Sequence, residues 1–268
     1  MDMIQSPAAP SRTKEDRHFV TALARGLDVL ACFRSGDRML GNQEIARRCR
    51  LPKSTVSRLT YTLTRLGYLH YVDETGKYRL GTATLGLGSV MLSRLDVRQV
   101  ARPLMQELAT FSKAMVSLGT RDKLSMIYVE NCRSEAALTL ALDVGSRIPL
   151  ATTAMGRAYL AVVPDIERVD LLERIREADP KAWPRVRKGI EQSLAQYRET
   201  GCCTSFGDWQ EDVNAIAAAF RPGGGLPPMA INCGGPAFNL SEEFLLREVR
   251  PHLLDLIRRV EYLLGAGG

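Results

Sequence analysis

The sequence predicts an α+β protein in which a small helical N-terminal domain precedes a larger domain with a central antiparallel sheet. Apolar residues follow helical spacing in the first third, whereas strand-like and helical segments are mixed after about residue 115. The positive charge is also confined to the first third. Residues 1–81 hold 14 Lys and Arg against 8 Asp and Glu, and residues 82–268 hold 22 against 22, so the net charge of +6 belongs to the first part. Such asymmetry indicates a polyanion-binding end joined to a remainder without net charge.

Three helices and a hairpin are predicted for residues 18–82. The first helix runs from about His18 to Phe33 with one buried stripe, made of Val20, Leu23, Leu27, Leu30 and Ala31. Asn42 is expected to cap a second short helix, and Gly67 to form the left-handed C-terminal cap of a third that starts near Pro52. Two strand-like pieces joined by "DETG" then predict a hairpin. Three helices followed by a hairpin are typical of a winged helix-turn-helix.

The third helix lies in "LPKSTVSRLTYTLTRLGYLHYV", residues 51 to 72, and separates apolar residues from polar and basic ones. A polar face without carboxylates suits contact with DNA, because a solvated face normally mixes both signs of charge. Residues predicted to contact bases or adjoining phosphates are Lys53, Ser54, Thr55, Ser57, Arg58 and Tyr61. Arg47, Arg48 and the wing residue Lys77 are predicted to contact mainly phosphates. The alternative is an ordinary helical domain whose basic face is merely solvated.

Residues 83–113 are predicted to form linker helices, with a break near Pro103. Their apolar surface comprises Leu85, Leu87, Val90, Met91 and Leu95. This surface favours dimerisation, since helix-turn-helix proteins that read palindromes need a two-fold partner. Packing within the chain is the alternative.

Residues 114–268 mix strands and helices in an order that predicts a sensor-like domain with a central antiparallel sheet. The five predicted strands are "AMVSLGTRD", "LSMIYVENC", "AALTLALDV", "AIAAAF" and "PMAINCGG". Helices are predicted in "TAMGRAYLAVV", "IERVDLLERIREA", "WPRVRKGIEQSLAQYRE" and a C-terminal segment from about Ser241 to Leu264.

Several function classes lack support in the sequence. The six cysteines show no metal-site or disulfide spacing, so reduced thiols, a cytoplasmic location and no metal are expected. His252 is the one histidine of residues 82–268, and no acid–His–nucleophile constellation is visible, so neither catalytic residues nor a cofactor are expected. The first 17 residues lack the apolar region of a secretory signal and are expected to be a disordered tail. No apolar run approaches the roughly 20 residues that span a bilayer.

The sequence resembles the IclR-type transcriptional regulators of bacteria. The matching residues are "ALARGLDVLACF", "QEIARRCRLPKSTVSRLTYTLTRLGYL" and "YRLG", then "VGSRIPLATTAMGRAYLA", "YRETGCC", "AIAAAF" and "MAINCGGP". The resemblance implies an N-terminal winged helix-turn-helix, a dimerising linker helix and a C-terminal GAF-like domain that binds a small effector, commonly a carboxylic acid. It also implies a homodimer or a dimer of dimers that binds a double-stranded DNA operator and controls a catabolic operon.

The resemblance further implies an effector pocket beside the "TTAMGRA" turn. Carried onto this chain, it is expected to use Leu140, Ile148, Ala154, Met155, Ser205, Ala215, Asn232 and Gly234. Backbone N–H groups at the start of the "AMGRA" helix favour a carboxylate, and the hydroxyls of Thr152 and Thr153 are expected to add donors. Some members place more polar residues near Ser205, Ala215 and Gly234, and Asn232 resembles the pattern of relatives that respond to aromatic acids. Ordinary packing is the alternative for each residue, and a ligand-independent dimeric scaffold that binds a partner protein is the alternative function.

Overall fold

The structure is a computed structural model that describes residues 19–34, 36–134 and 142–265. The chain divides into two compact units, residues 1–87 and 88–268. The predicted α+β class is confirmed, with a helix-turn-helix in the first unit and a mixed helix and sheet arrangement in the second. The predicted disordered tail, residues 1–17, lies outside the described residues.

The first unit consists of three helices and an antiparallel hairpin, as predicted. In chain order these are α1 (Thr21–Ala31), α2 (Asn42–Cys49), α3 (Lys53–Arg65), β1 (Leu69–Val72) and β2 (Lys77–Leu80). Their shared core contains Val29, Leu40, Ile45, Ala46, Val56 and Leu69. The hairpin turn covers residues 73–76, where "DETG" stands, so the two strands form the predicted wing.

The C-terminal end of α3 is closed by a left-handed glycine, as predicted. Gly67 has φ +77°, and its N–H donates to the carbonyl of Thr64 at 3.1 Å. The next N–H, of Tyr68, donates to the carbonyl of Leu63 at 2.9 Å. These two bonds satisfy carbonyls at the helix end and turn the chain into β1.

Asn42 does not cap α2, so that prediction is wrong. Gly41 occupies the cap position, and Asn42 is the first helical residue. Its side-chain amide donates to Ser57 Oγ at 3.2 Å, and its oxygen accepts from Thr60 Oγ1 at 3.3 Å. The Asn42 side chain, which the local pattern predicts at the helix cap, is therefore bound by polar residues of α3 that are distant in sequence.

The predicted buried stripe of α1 is also wrong. Val20, Leu23, Leu27 and Ala31 are exposed, whereas Val29 is buried and Leu30 is half-buried. The helix carries apolar side chains on two faces, and the face with Val29 packs into the core. The other face remains as an exposed apolar stripe, completed by Phe19.

The linker consists of α4 (Thr82–Ser93) and α5 (Asp96–Ser112). The break lies at residues 94–95 and Pro103 stands inside α5, so the predicted break at Pro103 is wrong. None of the described α4 residues is buried, and the side chains of Leu85, Leu87, Val90 and Met91 are exposed. Leu95, predicted to share that surface, is instead buried in the core of the second unit.

The second unit is built on a six-stranded antiparallel sheet in the order β5-β4-β3-β8-β7-β6. The strands are β3 (Met115–Asp122), β4 (Ser125–Cys132), β5 (Arg147–Pro149), β6 (Cys203–Phe206), β7 (Val213–Phe220) and β8 (Met229–Pro236). β5 and β6 were not predicted. The predicted strand "AALTLALDV" falls mostly on residues outside the described ones, and residues 142–144 are not in a strand.

Two cores cover the two faces of this sheet. The helices are α6 (Ala154–Val162), α7 (Asp165–Ala178), α8 (Trp183–Thr200), α9 (Glu242–Phe244) and α10 (Arg250–Gly265), with a π-helical turn over Leu245–Val249 before α10. Along β7, Ile216, Ala218 and Phe220 join the core that includes α5 and α10. Ala215, Ala217 and Ala219 join the opposite core, which includes α6. Their small side chains let α6 lie close to the sheet.

Burial of a cysteine thiol is expected to lower the stability of the folded chain at alkaline pH. Burial raises the pKa of the Cys233 thiol, which lies 3.4 Å from Ser112 Oγ, to about 12. The unfolded thiol ionises near pH 9, so above that pH the unfolded state binds fewer protons than the folded state and stability falls as pH rises toward 12. We expect Cys233→Ala to reduce this loss, by up to about 1.4 kcal/mol per pH unit, in urea unfolding at pH 8, 9, 10 and 11. Equal slopes for the variant and the native chain would contradict the assignment.

Candidate functional site

The exposed face of α3 is polar and basic. Lys53, Ser54, Ser57, Arg58 and Tyr61 are exposed, and Thr55 is half-buried. The opposite face is anchored by Val56 and Thr60, both fully buried. The predicted contact residues therefore lie on the side of α3 that faces away from its buried residues.

Hydrogen bonds orient part of this face. Ser57 Oγ donates to the carbonyl of Lys53 at 3.0 Å, so its hydrogen is used within the helix and its oxygen accepts from Asn42. The single hydroxyl hydrogen of Thr60 is shared between the carbonyl of Val56 at 2.9 Å and Asn42 Oδ1 at 3.3 Å. Asn42 thus links α2 to α3 beside the exposed face of α3.

The two adjacent arginines of α2 differ in their surroundings. The Arg47 side chain is 77% exposed and pairs with Glu44 at 2.8 Å, whereas that of Arg48 is 20% exposed. Arg48 forms ion pairs with Asp37 and Glu44 and donates to the carbonyl of Cys32 at 3.0 Å. Its hydrogen bond holds the pKa of Asp37 below its ordinary value. Arg48 therefore ties α2 to the chain before it, which differs from its predicted role at phosphate.

Arg47 and Lys77 border one groove between α2 and the wing. Lys77 is exposed at the start of β2, and both residues line this groove together with Met39 and Gly41. Because pairs between exposed charges are weak, the Glu44 partner leaves the Arg47 guanidinium available to another anion.

A cavity in the second unit gathers most residues of the predicted pocket. Its free volume is about 20 Å³, room for little more than one water molecule. The predicted residues that line it are Ile148, Thr153, Ala154, Met155, Ser205, Ala215, Asn232 and Gly234. Thr152 does not line it, and Leu140 lies outside the described residues.

Four lining residues were not predicted from the sequence, namely Met115, Tyr128, Trp209 and Val213. Alternation along the predicted strand "LSMIYVENC" was a usable signal for Tyr128, which shares a face with Met126. Trp209 follows β6, a strand that was not predicted, so no comparable signal existed for it.

The N-terminus of α6 forms one wall of the cavity. The Thr153 hydroxyl donates to the carbonyl of Pro149 at 2.7 Å and accepts from the N–H of Gly156 at 3.1 Å. Its hydrogen is therefore used within the turn, which differs from its predicted role as a ligand donor. The first-turn N–H groups of Ala154 and Met155 have no acceptor among the described residues. Ser205 Oγ donates to the carbonyl of Thr152 at 2.9 Å and holds this turn against β6.

Polar side chains from the sheet form the facing wall. Burial raises the pKa of Tyr128 to about 12, against the opposing effect of hydrogen bonds with Ser117 and Asn232, so the phenol is neutral at pH 7. Asn232 is 5% exposed, and its Oδ1 has no donor among the described residues. None of the described lining residues is charged.

A buried arginine connects the two segments that flank the cavity. Arg157 is 5% exposed and donates from Nε to the carbonyl of Ala151 at 3.2 Å. Its NH1 donates to the carbonyl of Thr204 at 3.1 Å and to Asp208 at 2.6 Å. Asp208 precedes Trp209, so this one guanidinium holds the Trp209 loop to the turn before α6.

Residues 19–34, 36–134 and 142–265 contain no group of three or more His, Cys, Asp or Glu side chains placed to hold a metal ion. Among the helices of these same residues, none has the length and apolarity needed to cross a membrane.

Comparison with known proteins gives consistent matches over nearly the whole chain. The family model described as the IclR helix-turn-helix domain matches residues 22–73, and that described as bacterial transcriptional regulator IclR C-terminal matches residues 89–262. The chain is 34% identical over 244 residues to the HTH-type transcriptional regulator TsaQ1/TsaQ2 of Comamonas testosteroni, covering 90% of this chain and 87% of that protein.

Solved structures give the same result. An IclR family transcriptional regulator from Brucella abortus is 45% identical, with a TM-score of 0.85 over 95% of this chain and 96% of that one. An IclR homolog complexed with 4-hydroxybenzoate, from Microbacterium hydrocarbonoxydans, shares the fold at 23% identity. Its TM-score is 0.71 over 91% of this chain and 99% of that one.

Proposed function

Because the chain belongs to the IclR family of bacterial transcriptional regulators, we propose that it controls a catabolic operon in response to a small, aromatic carboxylic acid. Members of this family are regulators, so the chain is a DNA-binding regulator and not an enzyme. Its proposed place of action is the cytoplasm, where a bacterial operator lies.

The exposed face of α3 carries the DNA-binding part of the proposal. Lys53, Ser54, Thr55, Ser57, Arg58 and Tyr61 are proposed to contact base edges and adjoining phosphates in the major groove. Arg47 and Lys77, which border one groove, are proposed to contact the phosphate backbone. Arg48 is proposed to position α2, since Asp37 and Glu44 hold its guanidinium.

Two exposed apolar surfaces support a homodimer, alone or as a dimer of dimers. One is the α1 stripe, with Phe19, Val20, Leu23 and Leu27. The other is α4, where Leu85, Leu87, Val90 and Met91 are exposed. Contiguous exposed apolar side chains mark interaction sites, and a two-fold partner is what a palindromic operator requires.

The cavity in the second unit supports the effector part of the proposal. Its free volume is about 20 Å³, well below that of a ligand-sized site, so binding a single-ring acid requires the lining side chains to move apart. The free N–H groups of Ala154 and Met155 favour a carboxylate at the start of α6. The Microbacterium relative, complexed with 4-hydroxybenzoate, is an example of this fold with a small aromatic acid.

Thermal melting against a panel of aromatic and short-chain carboxylic acids tests the effector part. We expect saturable stabilisation by an aromatic acid, because a ligand that binds only the folded state raises the melting temperature by mass action. The operator is then obtained by selecting bound duplexes from random-sequence DNA, with and without that acid. A change in DNA affinity with the acid is expected if the acid binds the DNA-competent and incompetent states unequally.

Two results would contradict this proposal. No stabilisation by any acid, with normal DNA selection, would favour the ligand-independent scaffold that binds a partner protein. Stabilisation by an acid without any change in operator affinity would separate the cavity from regulation.

A further inference from the structure

We propose that the Trp209 loop, residues 207–212, is a lid over the cavity, and that the ion pair between Arg157 and Asp208 is the latch that holds this lid closed. The inference rests on the proposed effector binding and adds the route by which a ligand enters. It gives Asp208 a role in access and not in ligand contact, because Asp208 does not line the cavity.

The first observation is the small free volume of the cavity. At about 20 Å³ it holds little more than one water molecule, whereas sites for small-molecule ligands measure about 300 to 1,000 Å³. Entry of a one-ring ligand therefore requires part of the wall to move. The part that moves most readily is the one with the fewest buried contacts.

The second observation is the exposure of the lining residues. Every described lining residue is buried except Trp209, which is half-buried. Its chain neighbours Asp208, Gln210, Glu211 and Asp212 are all exposed. The other lining residues belong to the sheet and to the start of α6, where a movement would break the packing of the second unit. The Trp209 loop is therefore the described wall that can open at the lowest cost.

The third observation is that backbone hydrogen bonds hold the base of the loop. The N–H of Gly207 donates to the carbonyl of Val213 at 3.0 Å, and the N–H of Val213 to the carbonyl of Gln210 at 3.0 Å. The carbonyl of Asp212 accepts from the N–H of Ala237 at 2.7 Å. Gly207 has φ +70°, a conformation that glycine adopts readily at a turn. The base can therefore stay in place while the start of the loop moves.

The segment that carries Trp209 is held by the latch. Asp208 and Trp209 make no backbone hydrogen bond within the described part of the chain. Asp208 accepts from Arg157 NH1 at 2.6 Å, and its side chain is 49% exposed, so water can replace the guanidinium around it. Arg157 keeps its place when the lid opens, because the carbonyls of Ala151 and Thr204 also accept from it.

Thiol labelling of the full chain tests the lid without any effector. Ala215→Cys places a thiol on the cavity wall, where methyl methanethiosulfonate, a small uncharged reagent, reaches it only when the cavity opens. Peptide mass spectrometry gives the labelling rate at this position. It also gives the rate at the native Cys233, which is fully buried in the opposite core and reports unfolding of the whole unit.

Removal of the latch charge is expected to speed labelling at position 215. In the Ala215→Cys background, Asp208→Asn should raise this rate about threefold to tenfold, because a charge-assisted hydrogen bond becomes a neutral one and the open fraction grows. The rate at Cys233 should stay within about twofold, since the unit itself remains folded. Asp208→Glu keeps the carboxylate and should restore most of the slow labelling.

Asp255→Asn is the matched control, because it neutralises another aspartate that pairs with an arginine in the same unit. Asp255 accepts from Arg258 at 3.3 Å on α10 and does not line the cavity. Its labelling rates should equal those of the Ala215→Cys parent. If Asp208→Asn does not fold, the two rates within that parent still decide whether the cavity opens without the rest of the unit.

The outcomes separate this inference from the proposed function. Equal labelling rates at position 215 and at Cys233 in the parent would overturn the lid, because the cavity would then open only when the whole unit unfolds. An unchanged rate at position 215 in folded Asp208→Asn would overturn the latch. Failure of every acid to stabilise the chain would count against the proposed effector and not against the lid, since the labelling uses no effector.

Discussion

Replacing Arg58 with alanine is expected to lower affinity for the selected operator by about 10- to 100-fold while leaving aromatic-acid binding unchanged. The Arg58 side chain is exposed on the polar face of α3, and a bidentate arginine contact to a base edge contributes about this much discrimination. Fluorescence anisotropy at fixed salt measures the DNA affinity, and calorimetry measures the acid affinity. Arg58→Lys keeps the charge but not the planar fork, so it should recover phosphate attraction and not base discrimination.

Arg187→Ala is the matched control for this loss of one positive charge. Arg187 is an exposed arginine of α8, where it pairs with Glu191 at 2.7 Å. Its removal should leave operator affinity within about twofold, since no DNA contact is proposed for α8. An equal loss in the two variants would indicate a general charge effect and contradict the role of α3. Loss of both DNA and acid binding in folded Arg58→Ala would contradict the separation of the two sites.

Replacing Gly156 with alanine is expected to destabilise the second unit by about 2 to 3 kcal/mol. A Cβ at this position would lie 2.1 Å from the carbonyl oxygen of Leu150, and backbone on both sides must shift to admit it. Gly156 lies in the first turn of α6, and its N–H donates a hydrogen bond to Thr153 Oγ1. The expected fall in melting temperature is roughly 4 to 12 °C for a unit of this size, followed by circular dichroism.

Gly86→Ala is its control within a helix. A Cβ at Gly86, in α4, has no atom within 4 Å, so alanine should raise helix stability by about 0.5 to 1 kcal/mol. Opposite signs for the two substitutions are therefore expected. A Gly156→Ala protein as stable as the native chain would show that the turn before α6 adapts freely, which would weaken its proposed role as a preorganised carboxylate site.

Local patterns were sufficient where the determining contacts are close in sequence. The α3 helix, its glycine end and the hairpin were predicted because spacing of Val56, Leu59 and Leu63 and the "DETG" turn act over a few residues. The helices α6, α7 and α8 followed in the same way. The gathering of Ile148, Ser205 and Asn232 around one cavity was expected from the family resemblance, and spacing alone offered no basis for it.

Predictions went wrong where one residue type serves two structural purposes. An apolar pattern on two faces of α1 does not say which face packs inward, and the packing of Val29 against the first-unit core decided it. Asn42 is a good cap in isolation, but Ser57 and Thr60 on α3 offered it partners. Pro103 predicts a helix break, yet α5 continues through it. Buried residues on both sides of the proline, such as Ala101 and Leu104, pack into the core.

By itself the sequence determined the order and type of most elements, the basic end of the chain and the composition of the α3 face, because periodicity and charge are local properties of a polymer. The tertiary structure alone decided which arginine of α2 is largely enclosed by Asp37 and Glu44 and which is exposed, and which hydroxyls at the cavity are already used. It also decided that Asn232 retains a free acceptor there. These hydrogen bonds and ion pairs depend on partners that folding brings together from distant segments. The sequence of one segment does not show which distant group its side chains will bind.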